Sequence, residues 1–453
     1  MKKDLTTGSI PKHLTRLAIP TMLGFMAQTL YDIVDMAWIG RINSSAVAGV
    51  TIFTTIFWMV DVLNEIIGNS SVSLISQSYG SGNKKRTAQV IEQTLAFKGL
   101  VALIAAILMF LLIKPLIAFF TPDQNVLKMA LDYGYLRIYF LPFLFSSFTV
   151  NTAMRCTGDV KTPMIIMIST SILNILLDPL FMFETIPGTN IPGLNMGVFG
   201  ASLATVISTV TAFLAGFIFL FSGRGKVKLS LKGLLKLRWN IDKKLLTIGL
   251  PIGLETFSRQ FSLLLIMKFA ALYGTASLAA FGIGNRLYGF IFLPLIGLFM
   301  GGSTVVGQNL GAEKIERAVS ATRWSALLAT GMMIFFTITA RFFAEPIMLF
   351  FINDPQVIAT GVEMIRIISL SFIPMGASFG LAIAFSGSGH NLPFLLSGIF
   401  SKWFIQLPIL LIARFLLHWP INAIWISFIF ADLSSALFIY GAYRKGTWKG
   451  KRV

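Results

Sequence analysis

Long runs of apolar residues recur from one end of the chain to the other, and short polar segments separate them. The runs are apolar on most helical faces, and a helix needs about 20 apolar residues to span a bilayer. Transmembrane strands are instead alternating segments of about ten residues, a pattern that these runs do not follow. The pattern predicts twelve membrane-spanning helices, at residues 14–40, 47–72, 91–113, 132–154, 162–184, 196–222, 244–272, 278–303, 319–342, 361–386, 392–416 and 421–443.

The amino-acid composition also indicates a membrane protein. Of the 453 residues, 55% are hydrophobic and 12% are charged, whereas about 25% of the residues in a soluble domain are charged. We therefore expect a multi-pass integral membrane protein that is embedded in the lipid bilayer. The single cysteine, Cys156, argues against an internal disulfide or a cysteine-rich metal site. The N-terminal run lacks a small-residue cleavage site, so we expect no cleavable signal.

The net charge of +18 is concentrated in the segments on one side of the predicted spans. The segment GSGNKKRT is basic, GAEKIER has two Lys or Arg residues, and the stretch 223–244 has eight Lys or Arg residues against one acid. The opposite loops, such as TPDQN and ETIPGTNIPGLN, have almost none. Cytoplasmic loops carry such an excess of Lys and Arg. We therefore expect a prokaryotic inner-membrane protein with both termini in the cytoplasm and without a nucleic-acid partner.

The two halves of the chain resemble each other at a single offset. The segment SLISQSYGSGNKKRTAQ corresponds to TVVGQNLGAEKIERAV, and several identical residues are 231 positions apart. These pairs are Pro20 and Pro251, Gln77 and Gln308, Gly80 and Gly311, and Gly158 and Gly389. The sequence predicts an all-α protein whose twelve helices form two parallel six-helix repeats around a central cavity, where the substrate site of such transporters lies. The predicted parts are residues 1–222, a basic cytoplasmic linker at 223–243, and residues 244–453.

Polar side chains form stripes within two of the predicted spans. Gln28, Tyr31, Asp32 and Asp35 share one face of the first span, and Asn174 and Asp178 share one face of the fifth. Carboxyl groups in a bilayer are costly and normally face a helix bundle or a water-filled cavity. Burial and a like-charged neighbour both disfavour the ionised form. The stripes therefore predict an acidic site that can take up a proton or hold a small cation.

The repeat supplies an internal comparison for this site. At the offset of 231, Asp35 corresponds to Ile266, and alignment of Pro179 with Pro408 pairs Asp178 with Leu407. A purely structural polar network would be expected in both halves. The carboxylates are therefore predicted to be an addition to a scaffold that works without them, although a network that only holds helices together remains the alternative.

The two six-span halves, the early prolines and the Q-x-x-G segments that close spans 2 and 8 resemble the MATE family of multidrug and toxic compound extrusion transporters. The stretch NILLDPLFMF is similar to the DinF-like and archaeal branch of that family. The resemblance implies that Asp35 takes up the coupling proton. It also implies a polar cluster around it, formed by Tyr31, Asn174, Asp178 and Thr205. The Thr205 hydroxyl has the alternative of bonding its own helix.

The sequence departs from the family pattern at three further acids. Asp61 and Glu65 lie in the second span, where they extend the site, attract cations or only form a polar face. Glu255 in the seventh span precedes Arg259 by one turn, which favours an internal ion pair. The candidate accessory or cavity residues are these three acids together with two members of the first stripe: Gln28, Asp32, Asp61, Glu65 and Glu255.

These patterns predict a proton-coupled antiporter of amphipathic organic cations or drugs, which is not an enzyme and needs no cofactor. SYGSGNKKRT lacks the spacing of a nucleotide-binding loop. Sodium coupling at Asp35, Asn174, Asp178 and Thr205 is the first alternative, because their oxygens also suit a hard cation. A flippase of lipid-linked oligosaccharides is the second alternative, although such a protein would be expected to have fourteen spans and a basic cavity. The resemblance implies a monomer.

Overall fold

The structure is a computed structural model that describes residues 5–453. Within this range the regular secondary structure is helical, apart from one isolated bridge between Thr185 and Pro192. Helices suit a lipid environment, because each one satisfies its backbone hydrogen bonds internally. The predicted all-α class is confirmed.

The chain divides into two compact units. The N-terminal unit comprises Pro20–Gly249, and the C-terminal unit comprises Met1–Ile19 together with Leu250–Val453. Both divisions fall inside a helix, next to Pro20 and Pro251. A proline inside a helix removes one backbone hydrogen bond. The two helices that contribute to both units are therefore weakened at the points where the units divide.

The N-terminal unit contains most of the first helix and all of the next seven. They are α1 (Ile10–Ile39), α2 (Ser44–Gly80), α3 (Lys84–Phe120), α4 (Gln124–Tyr139), α5 (Leu141–Cys156), α6 (Lys161–Met182), α7 (Gly197–Phe221) and the short α8 (Leu231–Leu234). Helix α9 (Trp239–Ala271) begins in this unit and continues into the other.

The C-terminal unit contains the remaining helices. They are α10 (Thr275–Gly311), α11 (Ile315–Phe342), α12 (Ala344–Phe351), α13 (Pro355–Ile368), α14 (Phe372–Ser388), α15 (Leu392–Ile399), α16 (Leu407–Leu411) and α17 (Asn422–Lys445). Helices α15 and α16 are joined and followed by π-helical turns at Phe400–Gln406 and Ile412–Leu416.

Helix starts repeat at the offset that the sequence predicts. The starts of α2, α3, α4, α5 and α6 are followed 231 residues later by those of α10, α11, α13, α14 and α15. The corresponding residues Asp123 and Asp354 cap α4 and α13, accepting a backbone hydrogen bond at 2.8 Å in each case. Such caps satisfy amide groups that the first helical turn leaves free. The two-repeat prediction is confirmed.

The twelve predicted spans can all be located. Ten helical segments of the described residues are long and apolar enough to cross a membrane. The other two are α9 and the α4–α5 segment, which the sequence predicts as the single span 132–154. That span is instead two helices separated at Phe140. Pro142 in the first turn of α5 has no backbone N–H to continue the helix.

The start of the seventh span also differs from its prediction. The sequence places it at 244, after the basic linker, whereas α9 begins at Trp239. Asp242 lies in the first turn of α9, where an acidic side chain favourably meets the positive end of the helix dipole. The last residues of the predicted linker are therefore helical.

Candidate functional site

Buried polar side chains of α1 and α4 meet in the N-terminal unit. Asp35 is 7% exposed, and its Oδ2 accepts a hydrogen bond from the Tyr133 hydroxyl at 3.2 Å. The Tyr133 hydroxyl in turn accepts a hydrogen bond from the Arg137 guanidinium. The Ser202 hydroxyl of α7 donates to the Tyr133 carbonyl at 2.6 Å. This chain of contacts connects the buried aspartate of α1 to α4 and α7.

A second polar group lies between α6 and α7 of the same unit. Asn174 and Asp178 are fully buried, one turn apart on α6. The Asn174 amide donates to an Asp178 carboxyl oxygen in either orientation of the amide, at 3.2 or 3.4 Å. The same amide contacts Thr205 of α7. The Thr205 hydroxyl also donates to the Ala201 carbonyl of its own helix at 3.1 Å, so Thr205 contacts both the polar group and its own backbone.

The two groups belong to one electrostatic environment. Asp35 lies close enough to Asp178 to interact with it through their charges. The second carboxyl oxygen of Asp35, Oδ1, is buried and has no hydrogen-bond partner among residues 5–453. A buried carboxyl oxygen without a partner is costly. This oxygen is therefore a candidate position for a proton or for an external ligand.

The other polar residues of the stripe on α1 are more exposed than Asp35. Gln28 and Asp32 are exposed and Tyr31 is half-buried. Tyr31 lies near the side chains of Gln28 and Asp32 on the same helix face. Asp32 is also attracted by the charge of Arg137. The stripe therefore combines exposed side chains at Gln28 and Asp32 with a buried carboxyl group at Asp35.

Arg137 adds a cation to the predicted acidic site. Its guanidinium interacts through charge with Asp32 and Asp35, and it lies 5.4 Å from the centre of the Phe57 ring. Sequence reasoning did not single out Arg137 or Tyr133. Both were visible as polar residues one turn apart inside the predicted span 132–154. Because they lie in a different span, sequence alone could not pair them with Asp35.

Asp61 and Glu65 lie near a further cation that sequence reasoning also missed, and Asp61 also interacts through charge with Arg137. The side-chain amides of Asn64 and Asn69 donate to Asp61 at 3.0 Å and to Glu65 at 2.8 Å. Lys98 of α3 is fully buried and interacts through charge with both acids. The acids are therefore compensated by a cation and do not simply add negative charge to the site.

The C-terminal unit has a different set of charges. Glu255 and Arg259 of α9 form the predicted ion pair, with 3.4 Å between Oε1 and Nε. Lys402 and Asp432 form a second pair at 3.6 Å. At the offset of 231, Tyr133 and Arg137 correspond to Met364 and Ile368. The residues of the second repeat that correspond to Asp35, Tyr133 and Arg137 are therefore all apolar.

Comparison with a known family divides the chain into the same two halves as the sequence repeat does. The MatE family model matches residues 20–180 and again residues 251–412. The two matches begin at the prolines that are 231 residues apart. The unit that the family model describes therefore coincides with the repeat.

Similar proteins cover nearly the whole chain. "Probable multidrug resistance protein YoeA" from Bacillus subtilis is 26% identical, over 98% of this chain and 96% of the relative. "Probable multidrug resistance protein NorM" from Thermotoga maritima is also 26% identical, over 98% and 94%. A solved structure of a MOP superfamily transporter from Pyrococcus furiosus has a TM-score of 0.90 at 23% identity, with 98% of both chains covered. This last likeness is one of fold alone.

Proposed function

The chain belongs to the MatE family, and we propose that it is a secondary active efflux transporter that exchanges amphipathic organic cations for protons by alternating access. Members of this family are membrane transporters and not enzymes. Two full-length relatives are described as multidrug resistance proteins, which supports drugs as the substrate class. An ion gradient would then supply the energy for transport.

The observation that carries the proposal is the buried Asp35 with one free carboxyl oxygen. Tyr133 occupies Oδ2, while Oδ1 has no partner among the described residues. A proton on Oδ1 would remove the negative charge and leave the bond from Tyr133 in place. Asp178, held by Asn174, lies in the same electrostatic environment. Uptake of one proton therefore changes the balance between these carboxyl groups and Arg137.

We propose that this change of charge is transmitted through α1. Neutralised Asp35 would be held less strongly by the Arg137 charge and by the donor on Tyr133, since hydrogen bonds to a charged acceptor are the stronger ones. Pro20 gives α1 a point at which it can bend, because the ring removes a backbone hydrogen bond. Repacking of α1 would then release a bound organic cation when Asp35 is protonated.

Sodium coupling is the alternative that the same residues favour. The Asp178 carboxylate and the Thr205 hydroxyl both contact the Asn174 amide nitrogen in one buried place, and carboxylate and hydroxyl oxygens suit a hard cation. The two ions are distinguished by the gradient that drives transport. A flippase of lipid-linked oligosaccharides has less support, because the twelve spans match the drug transporters of the superfamily.

Reconstituted protein in proteoliposomes tests the proposal. With a pH dye inside and no sodium, an imposed proton gradient should collapse when ethidium is added. Ethidium transport that is driven by an imposed sodium gradient and not by a proton gradient would identify sodium as the coupling ion. No response to either gradient would contradict drug antiport and leave the family assignment standing.

We also propose that the protein is a monomer in a prokaryotic inner membrane with both termini in the cytoplasm. The excess of Lys and Arg in the segments on the side of the termini supports this orientation.

A further inference from the structure

A basic cavity lies at one end of the N-terminal unit, away from the polar groups of the helix bundle. Its volume is about 480 Å³, which is in the range of small-molecule sites in proteins. The first three turns of α3 form one wall, and the segment from Lys228 to Arg238, which includes α8, forms the other. The antiport mechanism makes no use of this cavity.

Six cationic side chains line the cavity. They are Lys84, Lys85, Lys228, Lys232, Lys236 and Arg238. Among the described lining residues the only acid is Glu92. Its Oε1 accepts a hydrogen bond from the Ser230 backbone N–H at 2.6 Å, so Glu92 ties the linker to α3. The positive charges therefore converge on the cavity with little compensation, and the cavity suits an anionic group.

The same linker presents apolar side chains beside the charges. Leu231, Leu235, Leu237 and Trp239 are 57–87% exposed. They alternate with Lys232, Lys236 and Arg238 along LKGLLKLRW. Basic residues interleaved with exposed Leu and Trp are typical of segments that lie at a membrane surface. A free phosphate would use only the charges, whereas a phospholipid would use both the charges and the apolar side chains.

We propose that this cavity binds the phosphate headgroup of an anionic phospholipid, whose acyl chains lie against the exposed leucines and tryptophan of the linker. Basic pockets and juxtamembrane clusters recognise anionic headgroups by such charge complementarity. The α3 N-terminus adds the positive end of a helix dipole to the same wall. The site holds the basic linker against α3 through the lipid and is independent of the proposed transport cycle.

Native mass spectrometry of protein released from mixed phosphatidylcholine and phosphatidylglycerol nanodiscs tests this proposal. The wild type should retain phosphatidylglycerol in preference to phosphatidylcholine. The triple variant Lys232→Gln, Lys236→Gln, Arg238→Gln should lose this retention by about tenfold or more, since each cation near the surface contributes measurably. The matched control Lys449→Gln, Lys451→Gln, Arg452→Gln removes the same charge from the exposed C-terminus and should bind as the wild type does.

A second variant separates the lipid from a free phosphate anion. Leu235→Ser with Leu237→Ser keeps every charge and alters only side chains that are 87% and 57% exposed, so the protein should fold normally. This double variant should bind phosphatidylglycerol more weakly than the wild type does. Inorganic phosphate should compete only weakly with the lipid, and to the same extent in both proteins. Equal competition by inorganic phosphate and the lipid, with no effect of the leucine changes, would overturn the lipid assignment. Equal losses in the two triple variants would overturn the site itself.

Discussion

At the scale of single residues, the central feature is a carboxyl group that the helix bundle only half satisfies. Asp35 has a donor for one oxygen and none among the described residues for the other. A carboxylate inside a membrane-spanning helix is costly unless it is paired or faces a cavity. The bonds from Tyr133 and the charge of Arg137 offset part of this cost. We propose that the remaining imbalance makes Asp35 responsive to a proton.

The first prediction concerns the donor to Asp35. Tyr133→Phe removes the hydroxyl that joins Asp35 to Arg137 and keeps the ring that packs on Phe53 at 5.7 Å. A hydrogen bond to a charged group contributes about 1.5–3 kcal/mol, so drug efflux from everted vesicles should slow by about tenfold or more. Tyr139→Phe, on the same helix but 63% exposed, should leave efflux unchanged. Equal effects of both changes would show that the Tyr133 bond is not used.

Lys98 carries the second prediction. It is fully buried, and it is the cation that faces Asp61 and Glu65. Lys98→Met removes a buried positive charge that interacts with both acids, although its Nζ has no hydrogen-bond partner among the described residues, and an uncompensated buried charge is destabilising by about 1–3 kcal/mol. The melting temperature in detergent should therefore fall sharply. Lys114→Met, which changes an exposed lysine of α3 in the same way, should have little effect; a similar fall there would mean that α3 tolerates neither change for reasons other than the pair.

At the scale of helices, small residues set how closely α2 and α4 approach. A Cβ on Gly49 would lie 2.8 Å from the Val126 carbonyl oxygen and the Ala130 nitrogen of α4. Backbone atoms cannot move aside as a flexible side chain can. Small residues at such contacts allow helices in a membrane to pack backbone against backbone.

The third prediction follows from this contact. Gly49→Ala should destabilise the protein by about 1–3 kcal/mol, the usual cost of overpacking. Gly99→Ala in α3 has no atom within 4 Å of its new Cβ and should be neutral or stabilising by up to about 1 kcal/mol, because glycine weakens helices. Thermal unfolding of the two variants side by side measures the difference. A stable Gly49→Ala protein would contradict the close approach.

At the scale of the whole molecule, sequence patterns predicted the helices and their repeat well. Apolar runs of span length and the repeated Pro, Gln and Gly positions locate the twelve spans, because these features depend on residues that are near one another in the chain. The break at Phe140 was missed, since a hydropathy pattern does not register a single proline in a helix turn. Arg137 and Lys98 were missed as partners, because contacts between spans depend on how helices pack. The branch of the family also stays a prediction.

The fourth prediction concerns the orientation. The native thiol, Cys156, is buried, so introduced cysteines report their own position. In intact cells, a membrane-impermeant maleimide should label Thr189→Cys in the loop after α6 and should not label Lys449→Cys near the C-terminus. Both should react after the membrane is broken. The reverse pattern in intact cells would place the termini outside.

The central claim is that coupling resides in the polar network of the N-terminal unit, and one measurement tests it most directly. Substrate-dependent proton flux is compared in proteoliposomes that contain the wild type, Asp35→Asn or Glu255→Gln. Glu255 provides the matched control, because it is a buried acid in the other unit that is already paired with Arg259. We expect Asp35→Asn to insert normally and lose the flux, while Glu255→Gln retains most of it. Full flux through Asp35→Asn, or its loss only in Glu255→Gln, would contradict the account.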